Sequence, residues 1–402
     1  MQRFPDGFLW GAATSAHQVE GGNTNNDWWD FEQAPGTTAA ESSGDGIDHL
    51  HRYAEDFELL AALGHNTHRL SLEWSRIEPA PGRYSAAAIA HYRRVLTALA
   101  AAGLTAFVTL HHFTLPRWLA AAGGWLAPGA ADRFERYCRH VTAELGELMP
   151  FVCTINEPQM IALHGYLEGY HPPGISNPVL WQRVGRVLLG AHHTAVRAVR
   201  EAGGGRCRTG LAVQLPLLAP ARDDDASRAL HRLLQHEIVD LYLDGLAGPD
   251  GGDWLGVQYY RKQWVDPALP GRFGEPPPDV QRTQMGWAVH PDGLRQILHH
   301  AAARTDLPLY VTENGIATED DTERVRYLRT HLAAVARALA EGVDVRGYLH
   351  WSAFDNFEWA EGYRPKFGLI AIDHARDFAR VPKPSAHTFA RIAATGRLDA
   401  TP

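Results

Sequence analysis

The sequence predicts an α/β fold: a single closed (β/α)₈ TIM barrel with its active site at the C-terminal ends of the strands. Three observations lead there. Short β-like runs alternate with helical stretches eight times along the chain. The runs Ala106–Leu110, Leu211–Val213 and Leu309–Val311 are nearly all apolar, as strands buried on both faces are. The length, 402 residues, is one that such a barrel can fill as one domain, and no internal repeat or clean linker divides it. The expected domain is therefore 1–402.

The elements follow in order. A first strand at Phe8–Ala16 precedes a helix near Ile47–Leu63. Strand Thr67–Trp74 leads to helix Ala86–Ala102, and strand Leu104–His111 to a helix near Ala130–Leu148. Strand Phe151–Ile155 precedes a helix near Val179–Arg200. Strand Thr209–Gln214 leads to helix Ala226–Asp244, and strand Trp254–Tyr259 to a helix at Gly293–Ala303. Strand Leu309–Thr312 leads to helix Thr322–Ala340, and strand Arg346–Trp351 to a last helix at Ser385–Ile392. An open doubly wound sheet is the competing architecture, but it would usually carry a Gly-rich phosphate turn after its first strand. Trp10-Gly11-Ala12-Ala13 is no such turn. Gly203-Gly204-Gly205 follows a helix and precedes a strand, so it reads as a helix C-cap. The Pro/Gly-rich segment Pro267–Pro278 reads as a long loop on the barrel rim.

Composition excludes several classes. Hydrophobic residues make up 45% and charged residues 21%, which rules out a disordered chain. No apolar run approaches the ~18 residues of a membrane helix. Net charge is -8 and no basic stripe occurs, so a nucleic-acid partner has no electrostatic support. Cys138, Cys153 and Cys207 are an odd, widely spaced set, read as reduced core thiols. The first residues lack a basic and then apolar leader, and no N-x-S/T site occurs; both fit a cytoplasmic protein. Twenty-two histidines invite a metal, yet no HExxH spacing, GxSxG elbow or P-loop is present. No cofactor or metal is expected. Twelve Trp and thirteen Tyr suggest that flat apolar faces matter.

In a barrel the loops after the strands build the site. Glu157 ends strand four in Thr154-Ile155-Asn156-Glu157-Pro158, and Glu313 ends strand seven in Val311-Thr312-Glu313-Asn314-Gly315. Alone, each reads as well as a loop or cap residue. Together, from opposite sides of the mouth, they can face one another across a bound group. Glycoside cleavage needs such a pair: one carboxyl protonates the leaving oxygen and the other meets the oxocarbenium ion. At ~5–5.5 Å apart the second is a nucleophile and configuration is retained. A collar surrounds them: Gln18 and Glu20 after strand one, Arg69 and Glu73 in strand two, His111 and His112 at strand three. Tyr259 and Tyr260 close strand six, Trp351 closes strand eight, and Asp355, Asn356, Glu358 and Trp359 follow. Amide, imidazole and carboxylate groups suit sugar hydroxyls; indole suits the C–H faces.

On these residues the chain resembles glycoside hydrolase family 1, the β-glucosidase family. The matching pieces run from Phe4-Pro5-Asp6-Gly7-Phe8-Leu9-Trp10-Gly11 to Phe367-Gly368-Leu369, in family order, through the two motifs and Trp351-Ser352…Asp355-Asn356-Phe357-Glu358-Trp359. The resemblance implies Glu157 as acid/base and Glu313 as nucleophile of a retaining β-glycosidase. It implies that Gln18, His112, Asn156, Glu358 and Trp359 hold glycone hydroxyls over Trp351. It sets Arg69 and Tyr260 against Glu313, and Trp287 on the leaving-group side. The partner would be a small-molecule or oligosaccharide β-glycoside.

Departures from the family pattern are Gln258 for Asn in Gln258-Tyr259-Tyr260, Phe113 for Trp, and a shortened connection between strands five and six, expected to open the leaving-group side. A transglycosidase, a 6-phospho-β-glycosidase and a silent carbohydrate-binding barrel remain as alternatives. Glu358-Trp359 stands against the phosphate branch, because a carboxylate repels a phosphate.

Overall fold

Eight parallel strands close into a barrel in the computed structural model, which describes residues 2–269 and 271–398. They are β1 (Leu9–Ala13), β2 (Thr67–Ser71), β3 (Thr105–His111), β4 (Phe151–Asn156), β5 (Arg208–Gln214), β6 (Trp254–Gln258), β7 (Leu309–Glu313) and β8 (Val345–Trp351). Each pairs with its neighbour in chain order, and β8 returns to β1 with Tyr348 beside Trp10. Closure removes the open sheet edges that would otherwise need covering.

Around them run α1 (His49–Ala62), α2 (Ala86–Ala101), α3 (Ala130–Leu145), α4 (Pro178–Gly203), α5 (Asp225–Leu234), α6 (Pro291–Ala302), α7 (Asp321–Ala340) and α8 (Pro384–Thr395). Their starts are set by local chemistry. The side chains of Ser85, Asn177, Asp224 and Asp320 accept from the first free N–H groups of α2, α4, α5 and α7. Proline opens α4, α6 and α8, where its missing N–H costs nothing. Gly204, left-handed at φ 57°, ends α4 as the glycine triplet predicts.

The differences are local. The first strand stops at Ala13, and Ala16–Val19 forms a short helix that carries Gln18. The second stops at Ser71, and Glu73 caps the short helix Trp74–Ile77. In runs this short, apolar spacing does not separate one helical turn from a strand. After β4 an unexpected helix, Pro158–Ala162, continues as π-helical turns at Leu163–Glu168. The helix expected to reach Asp244 does so through π-helical Gln235–Asp240 and then Leu241–Asp244. The rim segment Pro267–Pro278 is loop apart from strand Phe273–Gly274, which pairs with Lys262–Val265; its Pro270 lies outside the described residues.

The barrel interior is plugged at its N-terminal end. Phe107, Phe151, Trp254 and Tyr310 pack there with Cys153 and Ala212, and the Phe107 and Phe151 rings stack at 4.1 Å. The three cysteines are unpaired and buried. Polar side chains such as Arg69 and Asn156 can therefore enter the barrel only above this plug. At the opposite end β7 and β8 approach so closely that a Cβ on Gly315 would stand 1.7 Å from the Trp351 carbonyl oxygen. Backbone cannot yield as a side-chain tip can. Gly315→Ala is expected to cost roughly 3 kcal/mol, the upper end of overpacking effects, read as a lower midpoint in chemical denaturation.

Candidate active site

A cavity of about 210 Å³ opens at the C-terminal ends of the strands. That is below the ~300–1,000 Å³ of sites for drug-sized ligands and suits one sugar ring. Glu157, Glu313, His112, Asn156, Tyr260, Trp287, Trp351, Glu358 and Trp359 all line it. Gln18 does not: it is fully buried behind Glu358, its amide nitrogen donating to the Phe357 carbonyl at 2.7 Å and lying 3.5 Å from Glu358 Oε2.

The backbone aims the walls. Glu157 follows β4 in the left-handed region, φ 46° and ψ 58°, and Pro158 then starts a helix. Phe113 at φ 72° and Trp359 at φ 52° share that rare conformation on the same cavity. Residues of this shape cost of order 1–3 kcal/mol each and persist only where their surroundings hold them. Trp359 is held by His17, stacked at 5.7 Å, and by Trp28 at 4.7 Å. Trp351 lies parallel to His112 at 6.1 Å. Asn314, beside Glu313, holds strands together: Tyr348 donates to its oxygen at 2.8 Å and its amide reaches the Tyr259 carbonyl.

Arg69, fully buried on β2, forms an ion pair with Glu313 through Nη1 and donates to Asn156 Oδ1 through Nη2. The Tyr260 hydroxyl donates to Glu313 Oε2 at 2.6 Å. Gln258 Nε2 donates to Asn156 Oδ1 at 2.9 Å, so the methylene that exceeds Asn lets this side chain reach β4 from inside the barrel wall. Asn156 Nδ2 lies 3.2 Å from His112 Nε2. Burial, then the Arg69 charge, keeps His112 neutral, well below the usual histidine range.

The two carboxyls differ. Burial raises both. At Glu313 this is opposed by the Arg69 charge and by hydrogen bonds from Tyr260 and Arg69. At Glu157 the Glu313 charge adds to burial, and the direct donor is Gln214 at 3.3 Å. A proton shared by this pair therefore sits on Glu157. Burial, then Glu313, pushes Glu358 up to about 8. A neutral acid and an anchored carboxylate across a small cavity can protonate one atom of a bond and attack another.

Several expected collar residues are elsewhere. Glu20 accepts from Tyr92 and Arg76, and Glu73 from Thr114 and Ser75, stitching loops below the mouth. Tyr259 donates to the His290 carbonyl, and Asp355 pairs with Lys383. Asn356 donates to Ser352 and to the Phe354 carbonyl, and His111 packs against Trp125; neither lines the cavity. Conversely His164, Tyr170, His171, Gln214 and Arg261 line the cavity and were not expected. Gln214 and Arg261 could have been found, since they stand at or just beyond the ends of β5 and β6. The other three lie on or after the unexpected π-helical turns. Among the described residues no cluster of three or more His, Cys, Asp or Glu stands in metal-holding geometry, and no helix is long and apolar enough to cross a membrane.

Paired carboxyls at the mouth of a (β/α)₈ barrel, ringed by indoles and amides, define a β-glucosidase-like glycosyl hydrolase. Comparison with known proteins agrees. The sequence model of glycosyl hydrolase family 1 matches residues 1–247 and 252–397, and the chain belongs to that family. It is 31% identical to Beta-glucosidase A of Thermotoga maritima over 99% of both chains. Its fold is similar to the beta-glycosidase from Pyrococcus horikoshii, with a TM-score of 0.92 and 36% identity over 100% of this chain and 97% of that one. It is also similar to the Thermotoga maritima beta-glucosidase in complex with glucoimidazole, with a TM-score of 0.92 and 30% identity over 98% of this chain and 100% of that one.

The Tyr260 bond yields a pH test. A donor to a carboxylate favours its charged form, so removing it raises the pKa. Tyr260→Phe is expected to move the acid limb of kcat/KM on an aryl β-glucoside upward by about one to two pH units, the worth of one charge-assisted hydrogen bond.

Proposed function

We propose that this chain, working as one domain over 1–402, is a retaining β-glycosidase that hydrolyses terminal β-D-glycosides through a covalent glycosyl-enzyme. The observation that carries the reading is the asymmetry of the two carboxyls: Glu313 anchored by Arg69 and Tyr260, Glu157 without a cation of its own. In the first step the Glu313 carboxylate forms a bond to the anomeric carbon while the glycosidic bond breaks. Glu157 gives its proton to the departing oxygen. Glu313 is then an ester and uncharged, so the Glu157 pKa falls and this group takes a proton from water. The hydroxide formed displaces Glu313, and the sugar leaves with its configuration retained.

Asn156, His112, Glu358 and Trp359 would hold the glycone over Trp351, with Gln18 steadying Glu358 from behind. Trp287 would face the leaving group. The glucoimidazole held by the Thermotoga maritima relative supports a glucose-like ring in this position. The glycone is a neutral sugar. Glu358 is pushed up to about 8 and exchanges hydrogen bonds as a neutral acid, while the cavity's single Arg or Lys among the described residues, Arg261, stands by Trp287. A 6-phosphate would find no cation at Glu358. A cytoplasmic setting belongs to the same reading and is supported by three unpaired cysteines.

A 2-deoxy-2-fluoro β-glycoside is expected to add its sugar mass to the peptide holding Glu313. Labelling at another carboxylate, or none despite turnover, would remove the nucleophile assignment. NMR of the first product formed should show the β-anomer.

Glu157→Ala is expected to abolish the alkaline limb of the pH profile. Glycosides of poor leaving groups should lose far more rate than those of dinitrophenol, which departs without a proton. Azide should accelerate the good substrates and yield a β-glycosyl azide. An equal loss for good and poor leaving groups would show that Glu157 is not the acid.

A further inference from the structure

Arg261 directly follows Tyr260 and lines the cavity beside Trp287, the residue read above as facing the leaving group. Its guanidinium lies over the Trp287 ring, 4.7 Å from the centroid. Stacked this way, a guanidinium is supported on its face while the N–H groups on its edge stay free for a planar partner. Among the described residues, no side chain forms an ion pair with it and none accepts a hydrogen bond from it. Most other arginines of the chain behave differently: Arg69, Arg76, Arg186, Arg295 and Arg380, for example, are each matched to a carboxylate.

The acids nearby have other ties. Glu168 is held by His164 at 2.6 Å, and Glu361 by Arg364. Glu157 carries the proton that the reaction uses. Burial lowers the Arg261 pKa, and the Tyr170, Glu168 and Glu157 charges work against it. One positive charge without an ion-pair partner thus stands over Trp287, on the side read as the leaving-group side, in a chain whose net charge is -8. The wall beside it is aromatic: Trp287 packs against Tyr260 at 5.5 Å and Phe367 at 6.1 Å.

We propose that Arg261 makes the leaving-group end of this cavity a receptor for an aromatic carboxylate, so that the favoured substrates are β-glycosides of phenolic acids. This rests on the β-glycosidase reading. A carboxylate matches the guanidinium edge with two parallel hydrogen bonds and brings one negative charge to one positive. A phosphate monoester would bring nearly two, beside Glu157 and Glu313, with one cation to meet them.

The test compares two substrates, 3-carboxyphenyl and 3-carbamoylphenyl β-glucoside, which differ in charge and little in shape. The kcat/KM ratio of acid to amide is measured in the wild type, Arg261→Gln and Arg261→Lys. Dividing the wild-type ratio by the variant ratio cancels the difference in leaving-group ability. For Arg261→Gln that quotient is expected to be about ten to a hundred, the range of a charge-assisted contact. Arg261→Lys should fall between. Most of the change should appear in KM. Should Arg261→Gln fail to fold, inhibition of the wild type by free 3-hydroxybenzoate and 3-hydroxybenzamide decides the matter, the acid being expected to bind more tightly and to weaken with added salt. A quotient near one, or equal inhibition by acid and amide, overturns the Arg261 assignment and leaves the glycosidase reading standing. Failure to cleave any aryl β-glycoside across a panel of glycones overturns both.

Discussion

A guanidinium sealed inside the barrel, that of Arg69, is the charge on which the cavity depends. A charge sealed away from water is costly to leave unpaired, and breaking such a pair costs about 3–5 kcal/mol. Glu313 at the end of β7 and Asn156 at the end of β4 are therefore drawn to Arg69 on β2. The aromatic plug beneath offers no carboxylate or amide side chain to take their place. Because Arg69 and Gln258 both donate to the Asn156 oxygen, its amide nitrogen is turned toward His112. One cation thus orients a carboxylate and, through an amide, part of the wall opposite.

The same cation sorts the acids. Glu157, Glu313 and Glu358 share a cavity of about 210 Å³, and burial pushes all three toward the neutral form. Arg69 touches one of them. Chemically identical side chains acquire different protonation because the barrel delivers a single buried charge to a single strand end. Placement alone sets a neutral acid and an anchored carboxylate side by side.

How much of this was legible follows from the kind of signal each part leaves. The eight units were legible because doubly buried strands are apolar throughout and the helices between them are long. Glu157 and Glu313 were legible from position, since each ends a strand. The short helices Ala16–Val19 and Trp74–Ile77 went unread, with Ala16 and Trp74 taken as strand ends, because a single turn has no period to detect. Glu20, Glu73 and Tyr259 are drawn to the mouth in such a reading for a similar reason: strand-end polarity is shared by residues that bind ligand and residues that tie loops. The π-helical turns at Leu163–Glu168 leave no pattern in the sequence, so His164, Tyr170 and His171 were out of reach. Arg261 was hidden by its neighbour, the expected Tyr260. Its meaning lies in the absence of a carboxylate partner, and that exists only in three dimensions.

The left-handed backbone at Phe113, Glu157 and Trp359 bears on how this protein can change. Each conformation is one that Asn or Gly adopts with less strain. Replacement there would relieve about 1 kcal/mol or more of backbone strain, but removing a packed aromatic such as Trp359 forfeits about 3–5 kcal/mol. Arg272 and Phe378 hold the same left-handed backbone and do not line the cavity. Strain can be shed there without touching a wall, so a gain in heat resistance that keeps the cavity intact has its nearest source on the outside of the barrel.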